Sequence, residues 1–299
     1  MATRWGITFS QKYCRELGLD PGRVLHDLLA DFPFSALRVC AYWDEIEQEP
    51  HLFDFTELDS IIKTAAEAEC AVTVAAGRKV PRWPEYHEPA WALDKGEHYL
   101  AERSIYFIEN VVNHYRDNSA VVRWQIENEP FWQFGHSEFP LTEEYVNQAV
   151  AAVRRLDDRP VLMTDTAEHS RWRKAALYGD EVGINIYPAS YARQLRRYQY
   201  PGIDPANLKE KIAAAAKPVL VTELQAEPWG PSERSHLPPD SIEEQIRSMS
   251  PMRLRENIQA VRTLPVTEIW LWGAEWWYQQ KQNERPLMYE TARELLAMT

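Results

Sequence analysis

The chain has 299 residues, 45% of them hydrophobic and 26% charged, which is enough for a large core and close to the usual size of one α/β barrel. Its 33 Lys and Arg against 45 Asp and Glu leave a formal charge of −12, which argues against nucleic acid and anionic membranes, both of which call for a basic surface. Three widely spaced cysteines with no C-x-x-C pair argue against a disulfide framework or a zinc site.

In chain order, short apolar runs alternate with amphipathic patterns. The opening "MATRWGITFS" has no apolar signal segment. No signal peptide is therefore expected, which implies a cytoplasmic location unless a leader has been trimmed. Eight runs read as strands: 4–10, 36–42, 71–77, 121–128, 160–166, 181–187, 218–223 and 266–273. Helical patterns follow them at 21–32, 56–69, 96–115, 141–157, 169–179, 205–216, 242–263 and 286–298, with 169–179 the faintest. Thr142 with Glu144, and Ser241 with Glu243 and Glu244, read as helix starts. No apolar stretch approaches the length of a membrane span. Eight strand–helix units without a break in composition predict a single (β/α)8 barrel over residues 1–299. The first strand lacks a G-x-G-x-x-G turn, so no dinucleotide cofactor is expected. His87, His98, His136 and His236 show neither H-x-x-x-H nor H-x-H spacing, so no metal is expected.

In such a barrel the C-terminal tips of the strands line the site. The fourth strand ends "WQIENEP" (124–130) and the seventh ends in Thr222 and Glu223; Arg38 lies on the second, Tyr187 ends the sixth and Trp272 ends the eighth. Glu129 and Glu223 thus come to one mouth from distant parts of the chain. Two carboxylates about 5–5.5 Å apart suit retaining glycoside hydrolysis, one protonating the leaving oxygen while the other attacks the anomeric carbon. Arg38 and the Tyr187 hydroxyl would keep the attacking acid ionised. Glu127, one residue from Asn128, alternates to the other side of the pleat and reads as a structural or solvated carboxylate.

"WQIENEP" together with "VLVTELQAEPW" (219–229) resembles the signature of the clan A glycoside hydrolases. "LRVCAYWDEIEQEPHLFDFTELD" (37–59) resembles the second strand and helix of several families there, including the cellulase-like family five and the β-galactosidase family forty-two. The resemblance implies that Glu129 is the acid/base and Glu223 the nucleophile. By the same resemblance Asn128 would bind the sugar 2-hydroxyl, Arg38 and Tyr187 would support the nucleophile, and Trp272 would floor the subsite at the scissile sugar. Family five usually has a His two residues before the sixth-strand Tyr; here that place holds Asn185. The resemblance is therefore taken at the level of the clan, with no family assigned.

The aromatic residues point the same way. There are 12 Trp, many beside Pro, Gly or charged residues. Trp83, Trp132, Trp229 and Trp276 are candidate sugar platforms, because an indole stacks on the apolar face of a sugar; each could equally be loop packing. Trp270 shares a strand face with Trp272 and could fill the barrel instead. Lys79, Arg82 and His87 read as loop salt bridges or, less favoured, contacts to a polar or acidic sugar, and the basic run 193–198 as solvated surface. The expected partner is an oligosaccharide, polysaccharide or simple glycoside. A transglycosylase would use the same residues, and a binding protein on an inactive barrel is the alternative outside enzymes. The sugar, the linkage, endo or exo action and the oligomeric state stay open.

Overall fold

The computed structural model describes residues 3–192, 196–230, 238–239 and 241–297. His236 and the first three residues of the basic run 193–198 lie outside them; Arg196 and Arg197 of that run are exposed. Eight strands close into a parallel barrel flanked by helices, as the alternation predicts. They are β1 (Arg4–Thr8), β2 (Ala36–Ala41), β3 (Ala71–Ala76), β4 (Val121–Ile126), β5 (Val161–Thr166), β6 (Glu181–Ile186), β9 (Val219–Gln225) and β10 (Glu268–Trp272). A hairpin of β7 (Ser190–Ala192) and β8 (Arg197–Gln199) stands apart from the barrel. The chain divides into two compact units, residues 1–37 with 184–299, and residues 38–183.

In the first unit β1 pairs in parallel with β10, from Arg4 opposite Glu268 to Thr8 opposite Trp272, and β10 pairs with β9. Gly6 is needed where β1 passes β2: a Cβ there would stand 2.3 Å from the Ala36 carbonyl oxygen and 2.8 Å from the Trp270 ring. At the lower end Glu268 accepts from the Trp270 indole N–H (2.9 Å) and pairs with Arg4. Trp270 is fully buried. In the second unit β3 pairs with β4 and β4 with β5. Arg123 and Glu181 form an ion pair there, at 2.7 Å.

The described helices are α1 (Gln11–Glu16), α2 (Pro21–Asp31), α3 (Trp43–Ile46), α4 (Thr56–Glu67), α5 (Ala90–Leu93), α6 (Glu97–Tyr115), α7 (Glu143–Leu156), α8 (Arg173–Tyr178), α9 (Pro205–Ala215), α10 (Ile242–Ser248), α11 (Pro251–Val261), α12 (Ala274–Gln282) and α13 (Leu287–Ala297), and they follow local chemistry. α2 (Pro21–Asp31) and α9 (Pro205–Ala215) each begin with Pro after a capping Asp, where the missing N–H removes nothing. Thr142 caps α7 (Glu143–Leu156) by accepting the Tyr145 N–H at 3.2 Å. Ser241 precedes α10 (Ile242–Ser248) as expected, but its side chain makes no capping bond. The single helix expected over 242–263 is two, because Pro251 cannot continue a helix and starts a new one, α11 (Pro251–Val261), capped by Ser250. The segment after β10, where Trp276 reads as a sugar platform or loop packing, is α12 (Ala274–Gln282), and Trp277 is buried in it with its indole N–H on the Ala226 carbonyl (2.7 Å). β9 runs two residues beyond the expected end, so Glu223 sits inside the strand, and β4 stops at Ile126, before its acids. Among the described residues no helix is long and apolar enough to cross a membrane. Cys14, Cys40 and Cys70 are free and buried.

Gly6→Ala is expected to destabilise the protein by about 1–3 kcal/mol, because the added methyl meets a backbone carbonyl rather than a yielding side chain. The midpoint of urea unfolding measures it, and an unchanged midpoint would show that the strands can part.

Candidate active site

In the unit of residues 38–183 the site residues follow β4. Leaving the strand, the chain takes positive φ at Glu127 (60°) and again at Glu129 (43°), with Asn128 between. Such conformations cost a non-glycine residue about 1–3 kcal/mol each and persist only where the surroundings hold them. Here they are held from the 77–79 segment. Glu127, 0% exposed, accepts the backbone N–H groups of Arg78 (2.9 Å) and Lys79 (2.6 Å) and the Tyr145 hydroxyl (2.6 Å). Gly77 makes room for it, since a Cβ there would lie 2.3 Å from the carboxylate. Burial pushes the Glu127 carboxyl above its ordinary pKa; the Tyr145 hydroxyl, the two N–H groups and the Arg78 charge pull against that. Tyr145 is raised well above an ordinary phenol by its burial and by Glu127. Of the two readings of Glu127, the structural one holds and the solvated one does not.

Asn128 donates its backbone N–H to the Lys79 carbonyl (2.6 Å) and its side-chain amide to Glu85 (2.9 Å). Its Oδ1 accepts from Gln125 (3.2 Å) and Thr164 (3.1 Å). Thr164 Oγ1 in turn takes the Glu129 N–H at 2.8 Å. Arg38, fully buried on β2, donates to Gln125 Oε1 at 2.9 Å. Arg38, Asn128 and the backbone of Glu129 are therefore joined through Gln125 and Thr164. The Glu129 side chain keeps the residue 9% exposed. Lys79 forms no loop salt bridge among the described contacts; its ammonium holds the carbonyls of Glu129 (3.1 Å) and Trp132 (2.9 Å). His87 packs on Tyr42 and meets the Arg82 carbonyl at 3.0 Å.

In the other unit Glu223 is 3% exposed on β9, and the Tyr187 hydroxyl donates to its Oε2 at 2.5 Å. Tyr187 follows β6 directly, and its ring meets Trp229 (centroids 5.0 Å apart) and Trp272 (6.3 Å) edge-on. Asn185 accepts from the Thr222 hydroxyl at 2.7 Å, so this residue ties β6 to β9 next to Glu223. Gln225 clamps both the N–H and the carbonyl of Ala189 at 3.0 Å, which fixes the chain two residues past Tyr187. Gly273, at φ 110°, lets that strand end pass; a Cβ there would lie 2.3 Å from Glu227 Cβ.

The four platform candidates differ. Trp132 is 39% exposed and stacks on His169 with rings 5.1 Å apart. Trp83 packs edge-on against Phe134 and His136, and Trp229 is half-buried beside Tyr187. Trp276 is 3% exposed within α12. Among the described residues no group of His, Cys, Asp and Glu could hold a metal ion. Residues the sequence reading passed over are Gln125, Thr164, Glu85 and Tyr145. Gln125 could have been found, as a polar residue alternating with Arg123 in an apolar strand; Glu85 lies in a loop and gives no local signal.

A model of the family "Cellulase (glycosyl hydrolase family 5)" matches residues 9–215. Among solved structures the chain is similar to a GH5_18 protein from Streptomyces cattleya in complex with Manb1-4GlcNAc. The identity is 16%, with 91% of this chain and 70% of that chain covered and a TM-score of 0.64. It is similar also to xylanase 10B from Thermotoga maritima, at 16% identity, covering 99% and 95%, with a TM-score of 0.63. A GH10 structure from Paenibacillus barcinonensis matches at 17%, covering 91% and 84%, with a TM-score of 0.62. At these identities the structures speak for the fold.

Thr164→Val is expected to cost about 1–3 kcal/mol of stability, since it leaves the buried Glu129 N–H and Asn128 Oδ1 each one partner short. Urea unfolding is the check; a loss below about 0.5 kcal/mol would mean that another group takes over both bonds.

Proposed function

Because the chain belongs to the cellulase family, glycosyl hydrolase family 5, and is by that membership a glycosidase of the retaining clan A type, we propose that it hydrolyses β-configured O-glycosidic bonds by double displacement, with Glu129 as acid/base and Glu223 as nucleophile. The observation that carries this reading is the 2.5 Å hydrogen bond from Tyr187 to Glu223. The family match spans Arg38, Asn128, Glu129 and Tyr187 but stops before Glu223, so the second acid needs that support of its own.

In the first step Glu129 gives its proton to the glycosidic oxygen while a Glu223 oxygen attacks the anomeric carbon. The C–O bond to the leaving alcohol breaks, and a glycosyl ester on Glu223 forms. In the second step Glu129, now ionised, takes a proton from water. The water attacks from the face the leaving group vacated, and Glu223 departs as carboxylate with the configuration restored. The phenol on Oε2 directs attack to Oε1 and stabilises the charge that returns when the ester breaks. Asn128, next to the acid/base, would bond a sugar hydroxyl. Trp132, the most open of the indoles, suits stacking on a further sugar unit.

A panel of nitrophenyl β-glycosides of glucose, mannose, xylose and galactose, with β-1,4-linked oligosaccharides, tests the substrate class. Glu129→Ala should lose about 10²–10⁴-fold on poor leaving groups and little on activated aryl glycosides, and azide should speed it and give a β-glycosyl azide. Glu223→Ala should fail on every substrate, with azide giving the α product. The opposite anomers would reverse the two roles; full activity in both variants would end the reading. Tyr187→Phe is expected to lower kcat by about 10–100-fold with a smaller change in KM, since the phenol acts on charge that changes during reaction. An equal rise in KM at constant kcat would make it a binding residue only.

A further inference from the structure

We propose that Glu127 is a positioning residue for Glu129: its buried carboxylate fastens the turn after β4 to the 77–79 segment and so sets the direction of the acid/base side chain. The proposal rests on the reading of Glu129 as acid/base. A buried carboxylate that met only apolar neighbours would be a liability. Glu127 instead meets three donors, with Oε1 taking Arg78 N–H and the Tyr145 hydroxyl and Oε2 taking Lys79 N–H. All three are donors, so the group is held as an acceptor at both oxygens, which an amide cannot be.

The fastening continues residue by residue. The Glu127 N–H goes to the Ala76 carbonyl (3.3 Å), the Asn128 N–H to the Lys79 carbonyl (2.6 Å), and the Lys79 ammonium comes back to the Glu129 carbonyl (3.1 Å). Lys79 thus touches all three residues of the turn, and Glu127 is what pins the Lys79 backbone. Gly77 accommodates the carboxylate at φ 143°. Both acids of the motif have left-handed backbone, and neither is glycine. Once the carboxylate is lost, the turn is free to relax to ordinary φ, and Glu129 swings with it. Misplacing a reacting group by about 1 Å can reduce rate by about 10²-fold.

The test separates aim from folding by the leaving group. Glu127→Gln keeps the volume but opposes one N–H donor with another. Tyr145→Phe removes one donor and leaves the turn's covalent chemistry intact, so it serves if the first variant does not fold. Each is assayed on the dinitrophenyl and phenyl β-glycosides of the sugar selected by the panel above. Loss of a proton donor's aim should hurt the phenyl glycoside at least about 10-fold more than the dinitrophenyl one in Glu127→Gln, and in the same direction but less in Tyr145→Phe. A drop equal on both substrates reports only less folded enzyme and overturns the proposal. Glu129→Ala is run alongside. If it shows the leaving-group dependence and neither second variant does, positioning by Glu127 is wrong; if Glu129→Ala itself lacks it, the acid/base reading fails and this proposal falls with it.

Discussion

A single buried carboxyl group organises the segment that carries Glu129. Glu127 lies where β4 has ended and no helix has begun, so nothing repetitive fixes the backbone there. Its carboxylate supplies the missing constraint by satisfying two backbone N–H groups of the neighbouring loop and one phenol. Backbone groups buried without partners are costly, and here the 77–79 loop and the 127–129 turn each satisfy what the other lacks. Arg38, Gln125, Asn128 and Thr164 add a second layer of polar contacts behind Glu129. A network in which every member is paired is stiff, whereas removal of one member leaves several unpaired.

The other unit solves the same problem differently. Glu223 is inside a regular strand, so the ladder fixes its backbone, and the effort goes into Tyr187. The phenol sits one residue beyond β6, where the ladder no longer reaches. Asn185 on one side and the Gln225 clamp on Ala189 on the other hold the chain around it. Trp229 and Trp272 then pack edge-on against the ring. The result is a carboxylate whose hydrogen-bond partner is set by Asn185, Gln225 and two tryptophans.

Glycines mark where these arrangements leave no space. Gly77 yields to the Glu127 carboxylate and Gly273 to Glu227, both at positive φ, so their backbone and their surroundings each disfavour a side chain.

Strand–helix alternation, the length and the absence of dinucleotide and metal spacing were local properties, and they were enough for the barrel, because period-2 and period-3.6 patterns report directly which face is buried. The position of "NEP" just past the fourth strand was legible for the same reason, and so was Thr142 as a cap, whereas Glu223 lies inside β9 rather than at its end. Boundaries were less so: Pro251 splits a helix that its apolar pattern runs through, and the Trp-rich segment after β10 folds as α12 because Gly273 allows the turn into it. What only the tertiary structure decided was partnership. Glu127 and Glu129 are chemically identical and two residues apart, yet nothing in the sequence says that Glu127 is the one enclosed by donors from residues 78, 79 and 145. Those donors are 18 to 49 residues away, and a window of sequence carries no information about groups that only folding brings within hydrogen-bond reach.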